Sequence, residues 1–256
     1  MRVPSLRRAV VVTAVAAAGL GGALASSPAL ATLAPVSHGP IAAHHVTPAI
    51  DHHWQSTSSN WAGYAVTGGR YTSVSATWTQ PAVSCTSTNT WSSFWVGLDG
   101  DGSGTVEQTG TEADCSSGRA VYSSWYEMYP KFPSNFNDTV APGDVFYASV
   151  TTNGSGSFTL FLQNKTRGWS HTVNAKLTSA KLASAEVIAE APSSSGGVLP
   201  LSNFGTVNFS GSAANGTSFA SLSGLDRIDM VSGGVTKAST GSISSGGNFS
   251  VTWKHI

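Results

Sequence analysis

From Ser58 to the C-terminus the chain is a succession of short runs in which apolar and polar residues alternate. Gly, Ser, Asn or Pro clusters cut each run off, and no long stretch repeats with the period of a helix. Such runs cover Asn60 to Val66, Ser73 to Thr79, Ser93 to Leu98, Thr105 to Thr109, Ala120 to Met128, Val145 to Thr151, Ser157 to Asn164, Ser170 to Leu177, Ala185 to Glu190, Val207 to Phe209, Arg227 to Val231 and Phe249 to Trp253. Between them, Pro142-Gly143-Asp144, Asn153-Gly154 and Asn215-Gly216 have the residue types of tight turns. About a dozen strands over roughly 200 residues, without an internal repeat, predict an all-β fold: one antiparallel β-sandwich domain over 58–256.

The residues ahead of it read differently. Arg2, Arg7 and Arg8 precede an alanine-rich apolar run, and Ala29-Leu30-Ala31 fits the small-x-small cleavage rule, so 1–31 is expected to be a secretory signal peptide. No later stretch is long and apolar enough to span a bilayer as a helix. The expected product is secreted, extracellular, monomeric and free of the membrane once the signal is removed. Residues 32–57 carry Pro35, Pro40 and Pro48 and five of the seven histidines, His38, His44, His45, His52 and His53, with no hydrophobic periodicity. They read as a disordered leader or pro-segment. A leader rich in histidine suits a cover over an acidic cleft, released when acid neutralises the carboxylates beneath it.

Charged residues make up 10% of the chain and the formal net charge is zero. That is well below the average of about 25% charged residues, and no basic stripe is present for nucleic acid. With so few carboxylates, those lying inside strands carry more information than usual. Cys85 and Cys115 are the two cysteines. In an oxidising compartment they are expected to pair and to close a loop of about 30 residues, a constraint of roughly 3–4 kcal/mol in the chain-entropy account. They lack zinc spacing, the leader histidines form no defined metal motif, and no metal or other cofactor is expected. Gly-x-Ser-x-Gly and His-Glu-x-x-His are both absent, and past residue 57 only His171 and His255 remain to build a serine triad.

The alternation places particular side chains together. On the Trp125-Tyr126-Glu127-Met128 run, Trp125 and Glu127 share one face; on Val106-Glu107-Gln108-Thr109, Val106 and Gln108 do; on Ala185 to Glu190, Glu186, Ile188 and Glu190 do. A sheet face carrying Gln108, Trp125, Glu127 and Glu190 is expected to be concave and wet, a surface for an extended peptide.

Six segments in order then resemble the glutamic peptidases, or eqolisins: Ser59-Asn60-Trp61-Ala62-Gly63-Tyr64, Phe94-Trp95-Val96-Gly97-Leu98-Asp99-Gly100, Glu107-Gln108-Thr109-Gly110, Trp125-Tyr126-Glu127-Met128-Tyr129-Pro130, Ala185-Glu186-Val187-Ile188-Ala189-Glu190 and Phe204-Gly205. The resemblance runs from about Ser58 to the C-terminus. It implies a concanavalin-like sandwich of two large antiparallel sheets, a catalytic Gln108–Glu190 dyad, and substrate-cleft or dyad-supporting positions at Trp61, Trp95, Asp99, Trp125 and Glu127. Fungal members often continue Asp-Phe-Glu after the dyad acid, whereas Ala191-Pro192 follow here. An offset of one motif position would give Glu186 the role of Glu190.

The implied activity is an acid-acting endopeptidase on polypeptide substrates, made as a zymogen. Glu190 would take a proton from water and later give it to the leaving amine, while the Gln108 amide donates to the oxyanion. The competing expectation is a β-sandwich glycoside hydrolase using Glu127 and Glu190 as its acid pair, or a carbohydrate-binding module using only the aromatics.

Overall fold

The computed structural model describes residues 37–38 and 53–256. The expected signal peptide, and the expected leader apart from residues 37–38 and 53–57, lie outside the described residues. Strands dominate. The first nine are β1 (His53–Ser58), β2 (Trp61–Val66), β3 (Ser73–Thr79), β4 (Ser93–Leu98), β5 (Val106–Ser116), β6 (Arg119–Tyr129), β7 (Ser134–Phe136), β8 (Val145–Thr152) and β9 (Ser157–Asn164). They continue with β10 (Trp169–Lys176), β11 (Ala185–Glu190), β12 (Ser193–Ser194), β13 (Gly197–Val198), β14 (Thr206–Ala214), β15 (Thr217–Ser218), β16 (Leu225–Ser232), β17 (Val235–Thr240) and β18 (Phe249–Trp253). One 3-10 turn, Phe219–Ser221, is the only helical element among the described residues.

Hydrogen bonding runs along one path, β10-β9-β8-β3-β14-β18-β17-β16-β2-β11-β4-β5-β6-β7. The path folds over itself, so that β4 and β5 lie across from β8 and β9, and β11 across from β3 and β14. The two layers of the expected sandwich are therefore continuous through shared strands. All ladders on the path are antiparallel; β1, which the sequence did not reveal, joins β16 in parallel.

Burial explains which strands were easy to read. β3, β8 and β9 alternate buried and half-buried residues, the pattern of a strand with one face on the core and one on solvent. β2, β4 and β11 are buried at every position. Their inner face joins Phe94, Val96, Leu98, Val187 and Ala189 to Trp78, Phe146, Leu160 and Phe209 in the main core. Their outer face carries a second cluster: Trp61, Ala65, Trp95, Val106, Trp125, Ile188 and Ile228. That second face becomes the floor of the candidate site.

Gly110 makes this floor possible. It lies opposite Trp95 on one side and Trp125 on the other. A Cβ there would come within 2.3 Å of the Phe94 carbonyl oxygen and 2.6 Å of the Trp95 Cβ. Only glycine leaves the backbones close enough for both indoles to lie over the gap. At the far end of the strands, Cys85 and Cys115 form a disulfide, as expected from the sequence.

Candidate active site

Three rows of side chains cross the floor from β11 through β4 and β5, and all three continue onto β6, the first of them at Ser123. Glu190 pairs with Ser93 and Ser93 with Glu112; Ile188 with Trp95, then Gly110, then Trp125; Glu186 with Gly97, then Gln108, then Glu127. The face assignments read from the alternation therefore hold. Gln108, Trp125, Glu127 and Glu190 share one surface, together with Trp61 and Trp95.

Gln108 and Glu190 are each held by hydrogen bonds on this surface. The Glu190 carboxylate accepts from the Trp95 indole N–H at 2.8 Å and from the Asn60 Nδ2 at 3.2 Å. Trp61 packs edge-on against Trp95 with ring centroids 5.0 Å apart. Gln108 donates from Nε2 to the Glu127 Oε2 at 2.8 Å. Both groups facing that nitrogen are acceptors, which fixes the amide with its NH2 forward.

The space above the floor is filled by the chain itself. Ser37 forms a two-bond antiparallel bridge with Ser193, at 2.8 and 2.9 Å. The next residue, His38, is fully buried, and its ring stacks on Trp125 at 3.9 Å with planes 6° apart. Its backbone carbonyl accepts a hydrogen bond from the Gln108 Nε2. Its backbone N–H donates to the Glu127 Oε2 at 3.1 Å, and the Ser37 hydroxyl donates to the Glu127 Oε1 at 3.2 Å. The imidazole Nε2 lies 3.2 Å from Glu112, and Nδ1 lies 3.1 Å from the Ser93 hydroxyl and 3.7 Å from Glu190.

The electrostatics follow from this packing. Burial alone would lower the His38 pKa, but Glu112 and Glu190 outweigh it and push it up to about 10, so the ring is an imidazolium. Burial would raise Glu112, yet His38 and the Ser123 hydroxyl, 2.5 Å away, hold it below its usual range. Glu190 is raised by burial, with His38, Trp95 and Trp61 opposing. Glu127 is pushed up to about 8, chiefly by burial, against the charge of His38 and with that of Glu190. The surface thus offers one carboxylate of low pKa in Glu112, a buried carboxyl in Glu190 whose rise is opposed by His38, Trp95 and Trp61, and a third carboxyl in Glu127 that stays protonated in acid.

Two of the residues singled out from the sequence lie elsewhere. Asp99 follows β4 with a positive φ of 67°, and its buried carboxylate accepts from the backbone N–H groups of Lys181, Leu182 and Ala183 at 2.8–2.9 Å. It anchors a loop and does not join the group around His38. Glu186 is on the dyad face but beyond Ile188, about 13 Å along the strand from Glu190 at strand rise. Its neighbours are Ser184, Asp99 and Asp101, and burial raises its pKa well above the ordinary value. Conversely, Asn60, Ser93, Glu112 and Ser193 belong to the site and were not singled out. Glu112 had a readable signal, since it is four residues beyond Gln108 and on the same face. Among the described residues, no cluster of His, Cys, Asp and Glu has the arrangement of a metal site.

Comparison with known proteins agrees with this geometry. The sequence matches the Peptidase A4 family over residues 59–253. It is 32% identical over 181 residues to aspergillopepsin-2 of Aspergillus niger, covering 61% of this chain and 64% of that protein. It is 36% identical over 115 residues to scytalidopepsin B of Scytalidium lignicola, covering 44% of this chain and 43% of that protein. The chain thus spans less than two thirds of the length of these curated relatives. The crystal structure of scytalido-glutamic peptidase with a peptide-based transition state analog superposes with a TM-score of 0.66 at 26% identity, covering 77% of this chain and 98% of that one. With the family matched across nearly the whole sandwich and its fold reproduced, the chain belongs to the Peptidase A4, or eqolisin, family.

Proposed function

We propose that the protein is a secreted, acid-acting endopeptidase that hydrolyses peptide bonds with Gln108 and Glu190. One observation carries the reading: the Gln108 amide donates to the backbone carbonyl of His38, a residue of a peptide segment in the cleft, and the Glu190 carboxylate lies 3.7 Å from the imidazole of that same residue. A peptide-based transition state analog bound in a relative of the same fold supports the same chemistry. Glu190, ionised, takes a proton from a water molecule, and the resulting oxygen adds to the substrate carbonyl carbon. Negative charge develops on the carbonyl oxygen, where the Gln108 Nε2 already points, an arrangement that typically supplies roughly 3–4 kcal/mol. The intermediate collapses as Glu190 passes its proton to the departing nitrogen. Glu127 holds the Gln108 amide in the donating orientation. The Trp95 and Asn60 donors favour Glu190 as a carboxylate despite its burial. Glu190, in contact with His38, suits the acid's role better than Glu186, whose neighbours lie at the other end of the strand. A glycosidase reading has less support, because the Glu127 carboxyl is engaged by Gln108, Ser37 and His38.

The test is a parallel digest of denatured protein and a plant polysaccharide at acid pH with wild type, Gln108→Ala and Glu190→Gln. Peptide release abolished in both variants while thermal unfolding stays unchanged is the expected result. Sugar release that is indifferent to Gln108 would replace the peptidase with the glycosidase.

A further inference from the structure

Residues Ser37 and His38 lie in the cleft as a substrate would. Main-chain bonding to Ser193 sets them in extended form, as when a peptide adds to a strand edge. Glu127 holds the His38 N–H and Gln108 holds its carbonyl, so the bond on the carboxyl side of His38 is the one presented to Gln108, with Glu190 3.7 Å from the imidazole of the same residue. The side chain is as well housed as the backbone. Trp125 lies flat against one face of the ring, Glu112 faces Nε2, and Ser93 and Glu190 face Nδ1. Each of these contacts fits a planar cation with two N–H donors. An aliphatic ammonium lacks the plane for Trp125, and a phenyl ring lacks donors for Glu112 and Ser93.

We infer that this pocket is a histidine-selective subsite for the residue that supplies the scissile carbonyl, and that the chain's own Ser37-His38 is its first occupant, so that the leader is cut after His38. The inference rests on the proposed peptidase reading. The step balances with water alone: water oxygen bonds to the His38 carbonyl carbon, and the bond from that carbon to the nitrogen of residue 39 breaks. The proton taken by Glu190 goes to that nitrogen. The products are a carboxylate at His38 and a new amino terminus at Gly39. In acid the imidazolium of a histidine substrate persists, and Glu112, held below its usual range by the same pairing, remains its counter-charge.

Two measurements on the full-length protein test this. The first uses peptides identical except for His, Lys, Phe or Ala at the carbonyl-supplying position. The expected kcat/KM is highest for His, roughly tenfold or more above Ala, as a stacked, paired cation implies, and Glu112→Gln narrows the His-to-Phe ratio. The second follows intact mass and N-terminal sequence of the acidified wild type, alongside Glu190→Gln. A chain beginning at Gly39 is expected from wild type and not from the variant. Denatured protein is digested in parallel. If that digestion proceeds but His is no better than Ala, or no chain beginning at Gly39 forms at any time, the inference is overturned. If nothing is digested at all, the proposed function falls and takes the inference with it.

Discussion

Replacing Glu107 by Gln should remove one part of the pH dependence of folding without touching the cleft. Glu107 neighbours Gln108, but it points the other way, into the sandwich core between Leu98 and Met128, and it is fully buried. Burial first, and the Asp99 carboxylate second, push its pKa from 4.5 to about 8, with Thr105 opposing weakly. A carboxyl whose pKa is raised on folding stabilises the native state while it is neutral. That contribution is complete below about pH 4.5 and disappears as pH climbs through about 8. A displacement of this size corresponds to as much as about 4–5 kcal/mol across the window. For a domain of about 200 residues that amounts to a fall in Tm of the order of 10 °C between acid and mildly alkaline solution. The amide of Glu107→Gln has nearly the same shape and does not titrate. Calorimetric Tm values at pH 4, 6 and 8 should therefore nearly coincide for wild type and variant at pH 4 and diverge at pH 8, with the variant the more stable. Asp114, Glu127, Glu186 and Glu190, raised in the same direction, leave a residual slope in both proteins. Parallel Tm profiles for the two proteins would refute the argument and show that Glu107 is solvated or ionised in the native state.

Three further outcomes follow from the packing. Asp99→Ala deprives three backbone N–H groups, that of Leu182 buried, of their acceptor and should cost about 3 kcal/mol by chemical denaturation; a raised KM with unchanged stability would return Asp99 to the cleft. Gly110→Ala forces a Cβ against the Phe94 carbonyl and Trp95, and should destabilise by about 2–3 kcal/mol while shifting indole fluorescence; a wild-type melting curve would contradict the close approach. Reducing the Cys85–Cys115 bond should lower stability by roughly 3–4 kcal/mol, measured as the urea midpoint with and without reductant; an unmoved midpoint would show that the loop is constrained by other contacts.

The bounds of β3, β4, β9, β11 and β18 coincide with the expected runs; β3 and β9 alternate between core and the opposite face, whereas β4 and β11 are buried at every position. β5 extends beyond its expected end at Thr109 because Ser, Thr and Asp continue a ladder whose pairing with β6, not hydrophobicity, sustains it. That truncation is also why Glu112 escaped notice. β1 was missed because a parallel edge strand of polar residues gains its order from β16 alone. The dyad face could be read from period-two parity, and the motifs supplied the partners. Asp99 illustrates the limit: its motif suggested a place in the cleft, but a positive φ just after β4 turns the carboxylate into a loop. Nothing local in Ser37-His38 announces a docked peptide, since its placement comes from Trp125, Glu127 and Gln108, far away in sequence.

The central claim is that a neutral amide and a single ionising carboxyl perform the hydrolysis. The pH profile of kcat for Gln108→Ala on a peptide substrate tests it most directly. Since Gln108 has no charge to titrate, the variant should show a curve of unchanged shape and unmoved acid limb, lowered by about 10²–10³ at every pH. A curve of wild-type height, or one whose acid limb moves with the substitution, would contradict it.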